Sequence, residues 1–370
     1  MSLSLILLAS AALQGAIVPQ CQNKSEVCQV PLPPAEDLRA LLGGKQQAWR
    51  ITGNILTVVA RRRETANLCC AIQTRLQRID GDLQAAAIHV PEIESAIFDI
   101  RIITGEEWNE EHHLYRGPRA PAAAATADVV PARVISHVIP SAHLGENRRV
   151  EVYLPPRWTA GRRLPVIYSA DGLASELAGI AEAGWRSGRL APFIIVGVPS
   201  SRARGTVGCT PRCDGRSREY LIDIPGLPRD QSRFDAHARF IAEEVVPLIE
   251  STYYVSRRPA DRVAAGYSSG GAWALTMAAR RPDIFGGTIA MSVGWAPAAE
   301  AARHLRRGRI FIGAGRLEDR FFEQSVLAAK NAKAAGANVR LVTLNAGHSM
   351  ENWTILFADA LRWHFPAGRR

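Results

Sequence analysis

Lysine is nearly missing from this 370-residue chain: Lys24, Lys45, Lys330 and Lys333 are its only occurrences, so arginine carries almost all of the formal net charge of +10. Those arginines are scattered. The longest run is Arg61-Arg62-Arg63, and no zinc-finger or RNA-binding spacing accompanies it. A dispersed basic surface without a footprint argues against nucleic acid as a partner. Long hydrophobic runs are also lacking. The most apolar stretch, "MSLSLILLASAALQGAIV", is broken by Pro19 and too short to span a bilayer. It reads as a signal peptide over residues 1–20, which implies an exported protein with no integral membrane segment. Cysteine is sparse, with six residues. Cys21 and Cys28 are close enough to close a small loop, as are Cys209 and Cys213 in "CTPRC", whereas Cys69 and Cys70 are expected on opposite faces of a strand. No second Cys or His pair lies near "CTPRC", which favours a disulfide over zinc there. Disorder is excluded by ordinary proportions, 47% hydrophobic and 22% charged.

What is present divides into two regions. Residues 30–115 carry short β-branched and apolar segments, among them "AWRITGNILTVVARR", "NLCCAIQTRLQRI" and "SAIFDIRII", and read as a small β-sandwich. Within it "NEEHHLY" (109–115) has neither HExxH nor EF-hand spacing, so a solvated polar loop is expected rather than a metal site. Residues 116–132, "RGPRAPAAAATADVVPA", form a Pro/Ala linker. From 133 to 370, buried strands such as "FIIVGV" and "RIFIGAG" alternate with helical patterns. In "QSRFDAHARFIAEEVVPLIES" the side chains of Phe234, Ile241, Val245 and Leu248 share one face. That alternation predicts a mostly parallel sheet covered on both sides.

Gly266-Tyr267-Ser268-Ser269-Gly270 falls where strand "RVAAGYS" meets helix "SGGAWALTMAARR", the context a nucleophile elbow requires. The glycines admit tight strand–helix packing, and the helix start supplies free N–H groups for an oxyanion. A serine nucleophile needs a base and a group that orients the base. His304 and His364 fall in helical stretches; His348, in the loop "NAGHSMENW" after the last strand, is the candidate base. Glu318 in "GAGRLEDRFF" is the candidate acid, with Asp319 as the alternative and helix capping as the plainer role for either. The backbone N–H groups of Leu173, after "VIYSADG", and of Ser269 are the candidate oxyanion donors. In "GRSREYL", Arg218 or Arg216 is placed to meet an anionic substrate group, with Glu219 as an ion-pair partner for either.

"RRVEVYLPP…LPVIYSADG", "GYSSGG…RRPDIFGGTIAMS" and "NAGHSMENW", in that order, resemble the putative-esterase family of α/β-hydrolases. The likeness runs over about residues 133–367. This group includes siderophore esterases, S-formylglutathione hydrolases, feruloyl esterases and mycolyltransferases. The resemblance implies an α/β-hydrolase fold, a triad of Ser268, Glu318 and His348, and oxyanion donors at Leu173 and Ser269. The "GRLE" placement of Glu318 is similar to the siderophore-esterase branch, which also carries an N-terminal β-sandwich. The expected activity is hydrolysis of a small-molecule carboxylic ester through an acyl-enzyme, with siderophore-type, aryl and short acyl esters all open as substrates, and with no metal or organic cofactor. The rival readings are an acyltransferase and a non-catalytic binding protein on the same fold. A short segment from Trp295 to Arg309 implies an open cleft. Oligomeric state is left open.

Overall fold

The computed structural model describes residues 21, 26–104, 112–159, 161, 163–172, 175–203, 214–222, 233–297 and 299–368. The expected signal peptide, Leu173, Cys209 and Cys213 lie outside them. The chain forms two compact units: residues up to 122 with 315–320 and 344–352, and residues 123–314 with 321–343 and 353 onward.

The first unit holds β1 (Cys28–Gln29), α1 (Ala35–Leu42), β2 (Gln47–Thr52), β3 (Ile55–Arg61), β4 (Ala66–Cys69), β5 (Thr74–Arg75), β6 (Gln77–Asp80), β7 (Leu83–His89), β8 (Ile97–Thr104) and β9 (His112–Arg116). One antiparallel sheet runs β1-β7-β3-β2 with β6 on β7; the other runs β5-β4-β8-β9. β3 and β7 are apolar at nearly every position because both of their faces are covered. Leu56, Val58, Ala60, Ala86 and Ile88 pack with Leu68, Phe98, Ile100 and Ile102 of the second sheet. Val59, Leu83 and Ala85 pack with Leu38 and Leu42 of α1. Burying each larger side chain contributes about 1.5–3 kcal/mol. α1 stops at Gly43, whose φ of 54° suits a residue without Cβ.

Two expectations change here. His112–Tyr115 of the supposed loop pair with β8 as strand β9, and the His113 ring lies 5.9 Å from that of Trp49. Cys69 and Cys70 do not point to opposite faces. They form a disulfide with each other across a cis peptide bond, and Cys21 pairs with Cys28.

The second unit is built on β10 (Val134–Ser141), β11 (Glu146–Tyr153), β12 (Val166–Ala170), β13 (Ile194–Val198), β14 (Arg262–Tyr267), β15 (Gly287–Met291), β16 (Arg309–Gly315) and β17 (Asn338–Leu344), in the order β10-β11-β13-β12-β14-β15-β16-β17. β10, β11 and β13 pair antiparallel, whereas β13, β12, β14, β15 and β16 are parallel. β12, β13 and β15 are buried at every residue, as parallel strands covered on both faces must be. The helices are α2 (Ser175–Arg186), α3 (Gly215–Tyr220), α4 (Phe234–Arg239), α5 (Val246–Thr252), α6 (Ser269–Arg280), α7 (Ala299–Ala302), α8 (Arg320–Ala334) and α9 (Met350–His364). Phe234, Ile241 and Val245 enter the core and Leu248 packs against it. Between α4 and α5 the helix widens to a π-turn over Phe240–Val245. Pro247 follows two residues after it; it has no N–H and crowds the preceding turn, and a wider turn relieves that conflict.

Candidate active site

β14 hands the chain to α6 through one residue, Ser268, whose φ of 58° and ψ of −124° are strained for a residue with a side chain. The bend is held by backbone bonds. Ser268 N–H donates to the Met291 carbonyl at 2.9 Å, and its own carbonyl accepts from Gly271 and Gly294 at 3.0 and 3.1 Å. Two glycines permit the close approach. A Cβ on Gly266 would stand 2.4 Å from the Gly270 carbonyl oxygen, and one on Gly271 would stand 2.7 Å from that of Met291. Ser269 is the first residue of α6, so its N–H has no acceptor within the helix.

The turn after β12 lies beside this elbow. Asp171 and Gly172 both have positive φ, 65° and 89°. The Asp171 N–H donates to Tyr220 Oη at 2.7 Å and the Gly172 N–H to the Val198 carbonyl at 3.2 Å. Arg216 grips the Asp171 carboxylate from Nε at 2.6 Å and Nη2 at 2.8 Å. Burial is the largest influence and opposes the guanidinium charge, but the hydrogen bonds to Asp171 and its negative charge together outweigh it and push the Arg216 pKa further up. Glu219 pairs with neither Arg216 nor Arg218. It is fully buried, and its carboxylate takes Arg148 Nη2 at 2.6 Å and the Ser201 N–H at 2.7 Å. Sequence spacing pointed to the near arginines because Arg148 is 71 residues away along the chain. A cavity of about 590 Å³ opens beside the turn, lined by Arg148, Asp171, Gly172, Ser200, Ser201 and Arg202 among others.

Glu318 and His348 belong to the first unit, and the structure brings them together. Glu318 follows β16 by three residues and is buried. Its Oε1 accepts from the Gly315 N–H at 2.7 Å and from Asn352 Nδ2 at 2.5 Å, while Oε2 faces His348 Nδ1 at 2.9 Å. With a carboxylate as acceptor, Nδ1 carries the proton and Nε2 is the acceptor nitrogen. The His348 side chain is 10% exposed and that of Glu318 is 0% exposed. Asp319 takes a φ of 46° immediately before α8.

Both loops are tied to the β-sandwich. Leu317 sits in its core. Ile97 N–H donates to the Asn345 carbonyl at 2.9 Å, and Gly347 N–H donates to that of Ile97 at 2.8 Å. Asn345 Nδ2 reaches the carbonyls of Pro91 and Glu92, each at 3.0 Å. A Cβ on Gly347 would stand 2.4 Å from that of Ala71, and His348 N–H approaches the Ala71 carbonyl at 3.4 Å. Sequence reasoning missed Asn345 and Asn352; the one available signal was their place beside His348. In the second unit Trp353 stacks on Tyr267 at 4.2 Å and donates Nε1–H to Ser292 Oγ at 2.7 Å. Among the described residues no three His, Cys, Asp or Glu side chains gather to hold a metal ion, and no helix is long and apolar enough to cross a membrane.

Residues 141–364 match the family model described as "Putative esterase". The chain is 28% identical over 190 residues to the uncharacterized protein YbbA of Bacillus subtilis, covering 49% of this chain and 72% of that one. The enterobactin esterase FES from Shigella flexneri, solved in the presence of enterobactin, superposes with a TM-score of 0.60 at 14% identity, covering 87% of this chain and 96% of that one. An IroE-like serine hydrolase from Shewanella oneidensis superposes with a TM-score of 0.51 at 17% identity, covering 62% and 79%. With identities this low, the two structures testify to the shared fold. The strand–turn–helix passage at Ser268, the parallel sheet and the match over residues 141–364 make this chain a member of the Putative esterase family, an esterase of the α/β-hydrolase fold.

Proposed function

We propose that this esterase is a serine hydrolase acting through an acyl-enzyme, with Ser268 as nucleophile, His348 as base and Glu318 as the acid that orients it. The observation that carries the reading is the Glu318–His348 pair, which leaves Nε2 as a proton acceptor. The strained elbow at Ser268 supports it. In the first step His348 Nε2 takes the Oγ proton as Oγ attacks the ester carbonyl. The N–H groups of Ser269 and Leu173 stabilise the oxyanion, each worth about 3 kcal/mol in the transition state. The imidazolium returns its proton to the departing alkoxide, and water repeats the sequence on the acyl-enzyme to release the acid. Glu318 holds the imidazole in the required tautomer throughout.

For the substrate we favour a siderophore-type or aryl ester. The similarity to the enterobactin esterase extends over 87% of the chain and so includes the N-terminal unit. Export is part of the same reading, because the Cys21–Cys28 disulfide suits an oxidising compartment.

The test is intact-protein mass spectrometry after exposure to a fluorophosphonate, alongside Ser268→Ala. A single adduct on the wild type that is absent from the variant is expected. An unlabelled, folded wild type, or ester hydrolysis that survives Ser268→Ala, would overturn the assignment.

A further inference from the structure

We infer that Arg216 and Asp171 are positioning residues that lock the Asp171–Gly172 turn against the nucleophile elbow, keeping the two halves of the oxyanion site in register; this deepens the serine-hydrolase reading and rests on it. The argument begins with α3, the six-residue helix carrying the "GRSREY" segment. α3 is firmly seated. Asp214 caps it by accepting the Ser217 N–H at 2.7 Å. Gly215 lies so close to Ser201 that a Cβ would be 2.5 Å from its Oγ, and Glu219 is buried on Arg148 and the Ser201 N–H. From this base the helix sends two side chains to one residue of the turn. Arg216 takes both carboxylate oxygens of Asp171, and Tyr220 Oη takes its N–H.

The same guanidinium also faces the elbow. Arg216 Nη2 stands 3.5 Å from the carbonyl of Tyr267, the residue before Ser268. The turn and the first turn of α6 are in direct apposition, since a Cβ on Gly270 would be 3.0 Å from Ala170 Cβ and 3.2 Å from Asp171 Oδ2. Arg216 therefore joins the residue before the nucleophile to the turn that precedes Leu173. Such a clamp is needed because Asp171 occupies a left-handed conformation that a residue with a side chain adopts only when its surroundings impose it. A planar fork across both oxygens fixes orientation as well as distance, which a point charge does not.

The geometry also answers the idea that Arg216 binds an anionic substrate group. Its Nε and Nη2 are committed to Asp171, whose charge offsets its own, and the Tyr220 ring lies 5.3 Å from the guanidinium carbon. A preorganised donor acts on charge that develops only in the transition state. Displacing the turn should therefore lower kcat and leave KM almost unchanged, for neutral and anionic esters alike.

The experiment compares wild type, Arg216→Gln, Arg216→Lys, Asp171→Asn and the Arg216→Gln/Asp171→Asn double variant on p-nitrophenyl acetate and on the anionic p-nitrophenyl hemisuccinate. Rates are expressed per active site titrated with a fluorophosphonate, so a loss of folded protein does not register as a loss of kcat. Losing a whole oxyanion donor costs about 100- to 1,000-fold, so a displaced one should lower kcat about 10- to 100-fold with KM within about twofold. Arg216→Lys keeps charge and stem, so it tests the fork if the neutral variants fold poorly, and it should lose most of the same factor. The double variant should be no slower than the slower single one. Affinity for a trifluoromethyl ketone, which binds as an oxyanion, should fall in step with kcat/KM. Unchanged kcat per titrated site in all variants would overturn the inference. So would a loss confined to the hemisuccinate and appearing in KM, which would assign Arg216 to the substrate anion. If the wild type is neither labelled nor active, it is the serine-hydrolase reading that fails.

Discussion

Glu318 accepts on both carboxylate oxygens, and the division of partners decides what it can do. Gly315 and Asn352 occupy Oε1, which turns Oε2 toward His348. Asn352 is fully buried, so its amide has no competing water. Asn352→Ala should lower kcat/KM about tenfold by loosening the carboxylate, and Asn352→Asp should cost more because a second carboxylate opposes the first. Glu318→Gln should cost about 1,000- to 10,000-fold, the scale of losing the correct tautomer. Steady-state kinetics on one neutral ester ranks the three; Asn352→Ala within twofold of wild type would show that Gly315 alone suffices. Ser268, Glu318 and His348 are legible in the sequence because glycine-framed turns and strand ends are local features. Asn352 is not, since a carboxylate partner 34 residues away leaves no periodic mark. The same holds for Arg216, whose partner is 45 residues distant.

At the scale of elements, the elbow depends on how closely α6 approaches β14 and β15. The 2.7 Å between an added Cβ on Gly271 and the Met291 carbonyl oxygen involves backbone, which cannot swing aside as a side chain does. Gly271→Ala should therefore lower stability by about 1–3 kcal/mol and reduce activity with it. Gly368 is a suitable control, because an added Cβ meets nothing within 4 Å there. Thermal melts of the two variants check this, and equal melting temperatures would mean that the elbow relaxes freely. The strand–helix alternation of this region is readable because buried parallel strands and amphipathic helices have different periods. β9 is harder to read: His112, His113 and Leu114 are exposed at an edge and Tyr115 alone packs toward the core, so pairing with β8 more than burial makes it a strand. The π-turn before Pro247 is a compromise between one proline and a continuous apolar face, which no single window displays.

Over the whole molecule, the loops bearing Glu318 and His348 belong with the sandwich. Asn345 and Ile97 bind them to the strands, so the first unit acts as a scaffold for the Glu318–His348 pair as well as a fold in its own right. Nothing in residues 315–320 or 344–352 marks that allegiance, because it rests on bonds such as Asn345 Nδ2 to Ser95 Oγ, whose partners lie 250 positions apart. The core of the second unit has its own vulnerability, to acid. His237 is fully buried among Tyr220, Phe240 and Trp273. Burial above all, with Arg148 and Arg233 adding to it, pushes its pKa down to about 3 from 6.5. Below pH 6.5 the unfolded chain therefore binds a proton at this site that the folded chain refuses. The contribution of His237 is intact above pH 6.5 and is lost progressively as the pH falls toward 3, with a slope of about 1.4 kcal/mol per pH unit. His237→Phe keeps the aromatic packing and removes the titration, so urea midpoints between pH 7 and 4 should fall less steeply in the variant, by one proton's worth. Parallel slopes would mean that His237 takes up its proton without unfolding the core, and that the acid sensitivity of the fold lies in its buried carboxylate pairs instead.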